Sequence, residues 1–243
     1  MAKLLVTNAI LLIITFQTLS GQAKSSCDCE SKINSGPFLS GELFIPAVPL
    51  DVKTYFNRDW LLSDVYIANG EIVRNKYIKY NRLLDELFWL EPSSNKIIKL
   101  DKEGILKFHF LNVQGDTSVY FRKLKVKRDI FTDSSEIYGQ EIYHGKLSLF
   151  ILHTFYIEER EIISMNKGIF QKDIYAEAPI YFLKLMNIKA VGFKNLNRKN
   201  MYAFVPDKKE QIKRFFKQIK QSKIETYPDI ILLMKFLNSI VEK

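Results

Sequence analysis

The chain has 243 residues, enough for one large domain or two small ones. Its hydrophobic content of 47% and charged content of 26% are ordinary for a globular protein, and they exclude a wholly disordered chain or a coiled coil. With 10 glycines and 7 prolines the chain is not collagen-like or of low complexity, whereas 18 phenylalanines and 12 tyrosines are typical of β-rich cores.

The N-terminus has the layout of a secretory signal peptide. Lys3 precedes an apolar run from Leu4 to Phe16, and small residues follow at Gly21 and Ala23. A membrane-spanning helix needs about 20 apolar residues, and this run is shorter. We therefore predict that residues 1–23 are removed on export and that the mature protein is periplasmic or secreted; cleavage after Gly21 is the alternative.

The two cysteines lie in the segment that follows, residues 24–58, which we predict to be mobile or extended. A lipoprotein signal would place an aliphatic residue three positions before Cys27, and that position holds Lys24, so we expect no lipid. Cys27 and Cys29 could close a small ring or pair between chains in an oxidising compartment. With no histidine nearby they do not indicate zinc, and we expect no metal and no cofactor.

A β-rich domain is predicted over residues 59–205. The dipeptide Asn69-Gly70 lies between two strand-like runs, which is the strongest short signal for a β-hairpin. Residues 146–157 are apolar on both faces, and this pattern predicts one strand covered on both sides. The predicted strands are 60–67, 72–80, 83–90, 96–100, 105–111, 117–126, 137–143, 146–157, 174–175, 180–186 and 190–193. Short strands at this spacing favour an antiparallel β-sandwich or an open barrel.

The hydrophobic period changes over residues 206–243, which predicts a basic helical hairpin packed on the β-rich domain. Asp207 and Glu210 have the spacing of a capping box at the start of the first helix. Its apolar stripe is Ile212, Phe215, Phe216 and Ile219. A second, mostly apolar helix is predicted from Asp229 to Val241, and a short loop between the helices predicts an antiparallel pair. The predicted fold class is therefore α+β.

The positive charge of the chain is concentrated at its C-terminus. The formal net charge is +9, and residues 184–243 contain 14 Lys and Arg against 5 Asp and Glu. The free energy gained by burying the apolar stripe exceeds the free energy of attraction between the lysines and an anionic bilayer. We therefore predict that the stripe packs inward and the basic residues face water. The candidate surface-binding residues are Lys208, Lys209, Lys213, Arg214, Lys217 and Lys220.

A second basic cluster spans Arg122 to Arg128. On a strand, its alternation would place Leu124 and Val126 on one face and the lysines on the other. This pattern is typical of a solvated strand face, and an anion-binding stripe is the alternative.

No catalytic motif is found. The three histidines, His109, His144 and His153, have no metal-binding spacing, and no nucleophile elbow or phosphate-binding glycine loop is present. Both Ser-x-x-Lys matches lie in predicted turns rather than on helices. We predict no catalytic, cofactor-binding or metal-binding residues.

Two separated stretches carry a family resemblance. Asp59 to Glu71 with Tyr80-Asn81, and Pro206 to Lys209 with Leu232 to Asn238, resemble a group of uncharacterised exported β-rich proteins of the Bacteroidota. The resemblance covers nearly all of the mature chain. It implies an envelope location, and it transfers no site residue because no activity is attached to the group.

The favoured function is that of a non-enzymatic envelope protein, a binding or interaction scaffold for an unknown protein or an apolar ligand. Nucleic acid is not expected as a partner of an exported chain. Two alternatives are a peripheral membrane protein that uses the basic C-terminal helix and a hydrolase with an unrecognised site.

Overall fold

Antiparallel strands dominate the fold. The computed structural model describes residues 38–45, 51–111, 113, 118–127, 134–165, 168–185 and 190–241. Over these residues the chain forms a large antiparallel sheet followed by three helices at its C-terminal end. The predicted α+β class, with a β-sandwich or open barrel followed by helices, is confirmed.

The large sheet contains eleven of the described strands. Its spatial order is β1-β5-β4-β3-β2-β6-β7-β8-β9-β12-β13. These strands are β1 (Gly41–Leu43), β2 (Leu61–Ile67), β3 (Ile72–Asn81), β4 (Glu86–Glu91), β5 (Lys96–Leu100), β6 (Ile105–Phe110), β7 (Val119–Lys127), β8 (Ser134–Tyr143), β9 (Leu147–Leu152), β12 (Ile180–Leu185) and β13 (Val191–Phe193).

Two further pairs of strands lie outside the large sheet. They are β10 (Phe155–Met165) with β11 (Gly168–Glu177), and β14 (Leu196–Asn197) with β15 (Lys223–Ile224). The helices are α1 (Arg198–Phe204), α2 (Lys209–Gln218) and α3 (Tyr227–Val241).

The predicted hairpin at Asn69-Gly70 is confirmed as the β2–β3 turn. Gly70 has a φ of +91°, which a residue without a β-carbon adopts at little cost. The Asn69 side chain accepts a hydrogen bond from the Glu71 backbone N–H at 2.9 Å. The turn is therefore held by its own side chain as well as by the strands.

The large sheet curls until strands far apart in its order touch. Three strands lie between β3 and β8, so in a flat sheet they would be about 19 Å apart, at about 4.8 Å for each step. Instead the rings of Tyr80 on β3 and Tyr138 on β8 have centroids 6.1 Å apart. This curvature gives the part of the sheet from β3 to β8, in the order β3-β2-β6-β7-β8, the form of an open barrel.

An aromatic cluster fills the barrel. Phe108 stacks on Phe121 with ring centroids 4.9 Å apart, and Phe110 and Tyr80 contact the same two rings edge-on. Phe56 closes one end by stacking on Phe110 at 5.3 Å. These phenylalanines and the tyrosine thus form the core of the barrel.

The Asp85 carboxylate joins the two sides of the barrel. It lies in the β3–β4 turn with a φ of +55°, and it accepts hydrogen bonds from the Tyr80 hydroxyl at 2.6 Å and from the Tyr138 backbone N–H at 3.1 Å. Lys102 contacts its other oxygen. Burial raises the pKa of both tyrosines, so their hydroxyls stay protonated and donate, the Tyr138 hydroxyl to the Ile105 carbonyl at 3.1 Å.

The helices cover the other end of the sheet. Their buried residues join those of β9 and β12 in a second core, which includes Leu147, Leu183, Ile212 and Leu237. The Asn238 side chain of α3 binds the backbone of Leu147 twice, accepting from its N–H at 3.0 Å and donating to its carbonyl at 2.9 Å. This amide therefore continues the hydrogen-bonding pattern of β9 and fixes α3 on the sheet.

The predicted single strand over residues 146–157 is wrong. The chain leaves the large sheet at His153 and Thr154, so β9 ends at Leu152 and β10 begins at Phe155. β10 pairs only with β11 among the described strands, and the two form a long hairpin, here called the arm. β9, which precedes the arm in the chain, and β12, which follows it, are neighbours in the sheet. Apolar residues alone do not mark this exit, because the run stays hydrophobic across it.

A partly exposed polar network holds the base of the arm. His153 binds the Glu177 carboxylate through Nδ1 and the Gln140 side-chain oxygen through Nε2 at 2.9 Å. Arg82 donates to the same carboxylate at 2.8 Å and to the Lys53 carbonyl at 2.7 Å, and its guanidinium lies over the Phe155 ring. Glu177 is the last residue of β11, Arg82 directly follows β3, and Gln140 lies on β8. The network therefore joins the arm to the end of β3 and to β8.

We expect a Glu177→Gln variant to be less stable than wild type at neutral pH, and we expect this difference to disappear in acid. The hydrogen bond from His153 lowers the pKa of Glu177 below its ordinary value of 4.5, and the charge of Arg82 acts in the same direction. Because the folded-state pKa is lowered, the stabilisation is present above the unfolded pKa and is lost as the pH falls through the folded value. Urea unfolding at several pH values should show the difference between the two proteins at neutral pH and little difference well below pH 4.5. A difference independent of pH over this range would contradict the assignment.

The C-terminal helices differ from the prediction in three respects. Asp207 does not cap the first helix, because it lies in a 3-10 turn and α2 begins at Lys209 without a side-chain cap. The short helix α1 precedes the predicted unit, and β15 lies in the loop between α2 and α3. These two helices meet through Phe215 stacked on Phe236, with ring centroids 4.5 Å apart, while α3 also packs on β9.

Candidate functional site

The apolar stripe of α2 faces the core, which confirms that part of the prediction. Ile212, Phe215 and Phe216 are buried and Ile219 is half-buried. Of the six candidate surface-binding residues, Lys208 is half-buried and the others, Lys209, Lys213, Arg214, Lys217 and Lys220, are exposed. The basic face of α2 is therefore open to solvent.

A cationic groove lies between α2 and the start of α1. It has a volume of about 560 Å³, within the usual range for small-ligand sites. Five of its nine lining residues are Lys or Arg, and none is Asp or Glu. They are Arg198, Lys199, Lys213, Lys217 and Lys220, with Asn197, Phe216, Gln221 and Ser222.

Both walls of the groove are tied together. Asn197 pairs with Lys223 and Leu196 with Ile224 in the β14–β15 ladder, which joins the start of α1 to the loop after α2. Lys220 has a φ of +55°, and this left-handed residue reverses the chain as α2 ends. The walls are thus held in place by backbone hydrogen bonds.

The cations of the groove differ from those of the sheet in their partners. Many basic side chains of the sheet, its turns and the arm pair with carboxylates: Arg74 with Asp64, Arg82 with Glu177, Lys99 with Glu42, Lys102 with Asp85, Arg122 with Glu141, Lys125 with Glu136, Arg160 with Asp173 and Lys172 with Glu161. Others lie over aromatic rings, Lys76 over Trp89 and Lys107 over Tyr66. In the groove, the ion pair found among the described residues joins Lys213 to Glu210 at 3.9 Å on an exposed surface, where such a pair contributes little.

Helix dipoles explain part of this cluster. Lys217 and Lys220 lie at the C-terminal end of α2, where a positive charge is favourable by about 0.3–1 kcal/mol. Arg198 and Lys199 occupy the first turn of α1, where no acidic residue is present and a positive charge is unfavourable. The helix dipole therefore does not account for the positive charges of Arg198 and Lys199.

The sequence prediction found only part of the groove. Lys213, Lys217 and Lys220 line it, whereas Lys208, Lys209 and Arg214 do not. Arg198 and Lys199 were missed, because α1 is seven residues long and gives no clear helical period. The concentration of Lys and Arg after residue 184 was the signal that could have included them.

In the second basic cluster, the described cations Arg122, Lys123 and Lys125 all lie near carboxylates. Leu124 and Val126 are buried, as the alternation predicted. The Lys123 side chain, however, is largely shielded from solvent, because its ammonium group donates to the carbonyls of Lys102 and Glu103. The groove beside it on the sheet, about 900 Å³, is lined by residues of both signs, including the paired Arg122 and Glu141.

The three histidines face three different carboxylates. His109 lies 3.9 Å from Asp64, His144 lies 2.7 Å from Glu141, and His153 binds Glu177. His109 stacks on Tyr120, and burial lowers its pKa. Of the three, only His144 lines one of the described grooves.

The predicted signal peptide, Cys27 and Cys29 lie outside the described residues. Within the described part of the chain, no cluster of three or more His, Cys, Asp or Glu residues could hold a metal ion. None of its helices is both long enough and apolar enough to span a bilayer.

Comparisons with protein families, with curated proteins and with solved structures find no match to this chain.

Proposed function

We propose that this chain is an exported binding protein that holds an anionic partner in the cationic groove between α1 and α2. The observation that carries the proposal is the convergence of five cations on one groove without a lining carboxylate. Several strand cations, by contrast, have carboxylate partners within 4.0 Å, among them Arg74, Arg122 and Arg160. An external anion would offset the positive charge that the lining residues of the groove leave unbalanced.

The β-rich part acts as a support in this proposal. The groove walls rest on the core shared by the helices and the sheet, through Met201, Phe216 and Ile224. A site held by a packed core loses little conformational freedom on binding, which favours affinity. The export predicted from the N-terminus would place this site in the envelope or outside the cell.

An anionic bilayer is the alternative partner, and the buried stripe of α2 limits how it could bind. Ile212, Phe215 and Phe216 contribute to the core and cannot insert into lipid while the protein is folded. A bilayer would therefore be held by charge alone, at about 1 kcal/mol for each Lys or Arg near the surface. Such binding is weakened by salt.

The proposal is tested by removing charge from the groove and, separately, from the sheet. We expect Lys213→Ala with Lys217→Ala to elute from a heparin column at clearly lower salt than wild type. The control is Lys125→Ala with Lys172→Ala, which removes the same charge from exposed lysines that already face Glu136 and Glu161. We expect the control to elute close to wild type. Equal elution of the two double variants would mean that net charge, not the groove, binds the polyanion, and the proposal would be wrong.

A further inference from the structure

The groove presents more positive charge than one singly charged anion can neutralise. Lys213 and Lys217 lie one turn apart on one face of α2, about 6 Å along its axis, and Lys220 follows just after the helix ends. Arg198 and Lys199 lie across from them on α1. A ligand that offsets all five must carry several negative charges within a volume of about 560 Å³.

The types of cation indicate the chemistry of that ligand. Lysine is a point charge, and arginine offers a planar fork of donors that matches the oxygens of phosphate or carboxylate. A phosphate group brings up to two charges and three acceptor oxygens in one compact unit. Neighbouring phosphates therefore reach the required charge density in less space than carboxylates or sulfate esters, which carry one charge for each group.

We propose that the groove binds a ligand with clustered phosphates. This inference rests on the proposed function and adds the class of anion. The same chemistry occurs in a soluble oligophosphate and in a lipid headgroup with a phosphomonoester. Asn197, Gln221 and Ser222 supply uncharged polar groups among the cations at the same groove.

Calorimetric titration with tripolyphosphate and with citrate tests the class of anion. We expect tripolyphosphate to bind the wild-type protein at least about tenfold more tightly than citrate, a difference that corresponds to about 1.4 kcal/mol. The Lys213→Ala, Lys217→Ala variant should lose most of this affinity, and the Lys125→Ala, Lys172→Ala control should keep it. The Arg198→Lys variant, which keeps the charge and loses the fork, should bind tripolyphosphate more weakly than wild type.

The possible outcomes separate this inference from the proposed function. If citrate binds as tightly as tripolyphosphate, the preference for phosphate is wrong while anion binding in the groove stands. If neither binds and the groove variant also elutes like its control from heparin, both are wrong. Tripolyphosphate binding that is unchanged in the groove variant would place the phosphate site elsewhere and overturn the inference.

Vesicles distinguish the two sources of phosphate. Phosphatidylcholine vesicles containing phosphatidic acid are sedimented with the protein, with and without tripolyphosphate. Binding that tripolyphosphate displaces supports a headgroup ligand, and tripolyphosphate binding without sedimentation supports a soluble ligand. Sedimentation that tripolyphosphate does not displace would show that vesicles contact another surface, and it would contradict a phosphate headgroup in the groove.

Discussion

Replacing Phe215 by alanine is expected to lower the free energy of unfolding by about 3–5 kcal/mol, as for other large aromatic residues removed from a core. Phe215 is 6% exposed, stacks on Phe236 with ring centroids 4.5 Å apart, and contacts Phe216 edge-on at 5.7 Å. It therefore joins α2 to α3, and its loss leaves a cavity between them. Urea unfolding followed by tryptophan fluorescence and circular dichroism would measure the change.

The matched control lies on the opposite face of the same helix. Lys213→Ala with Lys217→Ala removes two exposed side chains and should change the free energy of unfolding by less than about 0.5 kcal/mol for each substitution. If α2 instead used its apolar stripe to bind lipid, Phe215→Ala would melt like wild type and lose vesicle binding. That result would contradict the packing described for α2.

Replacing Asp85 by alanine is expected to destabilise the barrel by about 2–5 kcal/mol, because each buried hydrogen-bond donor left without an acceptor costs about 1–3 kcal/mol. The side chain of Asp85 is 13% exposed. Its loss removes the acceptor of the Tyr80 hydroxyl and of the Tyr138 N–H, and it leaves the Lys102 ammonium with the Glu136 carbonyl alone. The unpaired donors are buried or partly buried, so water replaces the carboxylate poorly. Urea unfolding would again measure the loss.

Asp85→Asn is the control for this prediction. Asparagine tolerates the left-handed conformation at this position and keeps an acceptor oxygen, but it lacks the charge that Lys102 faces. Its destabilisation should be smaller than that of the alanine variant. An alanine variant within about 1 kcal/mol of wild type would mean that Asp85 does not hold the two sides of the barrel together.

Local sequence patterns predicted much of the secondary structure. The Asn69-Gly70 hairpin needs only a residue that accepts a positive φ between two alternating runs, and both are visible in the sequence. The stripe of α2 is likewise a local pattern, because residues three and four apart share a helix face. Fold class and the inward face of α2 followed from such patterns.

The candidate site could be predicted only in part. Lys213, Lys217 and Lys220 are visible as one face of a predicted helix. Arg198 joins them only because the β14–β15 ladder brings the start of α1 to the end of α2. No local pattern in the sequence encodes that pairing, since each strand of the ladder is two residues long.

What the sequence by itself determined is therefore local: hairpin turns, alternating strands, amphipathic helices and the concentration of positive charge after residue 184. The tertiary structure alone decided the exit of the chain from the sheet at His153, the closure of the barrel through Asp85 and the opposite wall of the groove. In each case the deciding contacts join residues distant in sequence, Glu177 with Arg82, Asp85 with Tyr138, and Asn197 with Lys223. Such contacts form between side chains and strand edges that only folding brings together, so they have no signature in the periodicity of the chain.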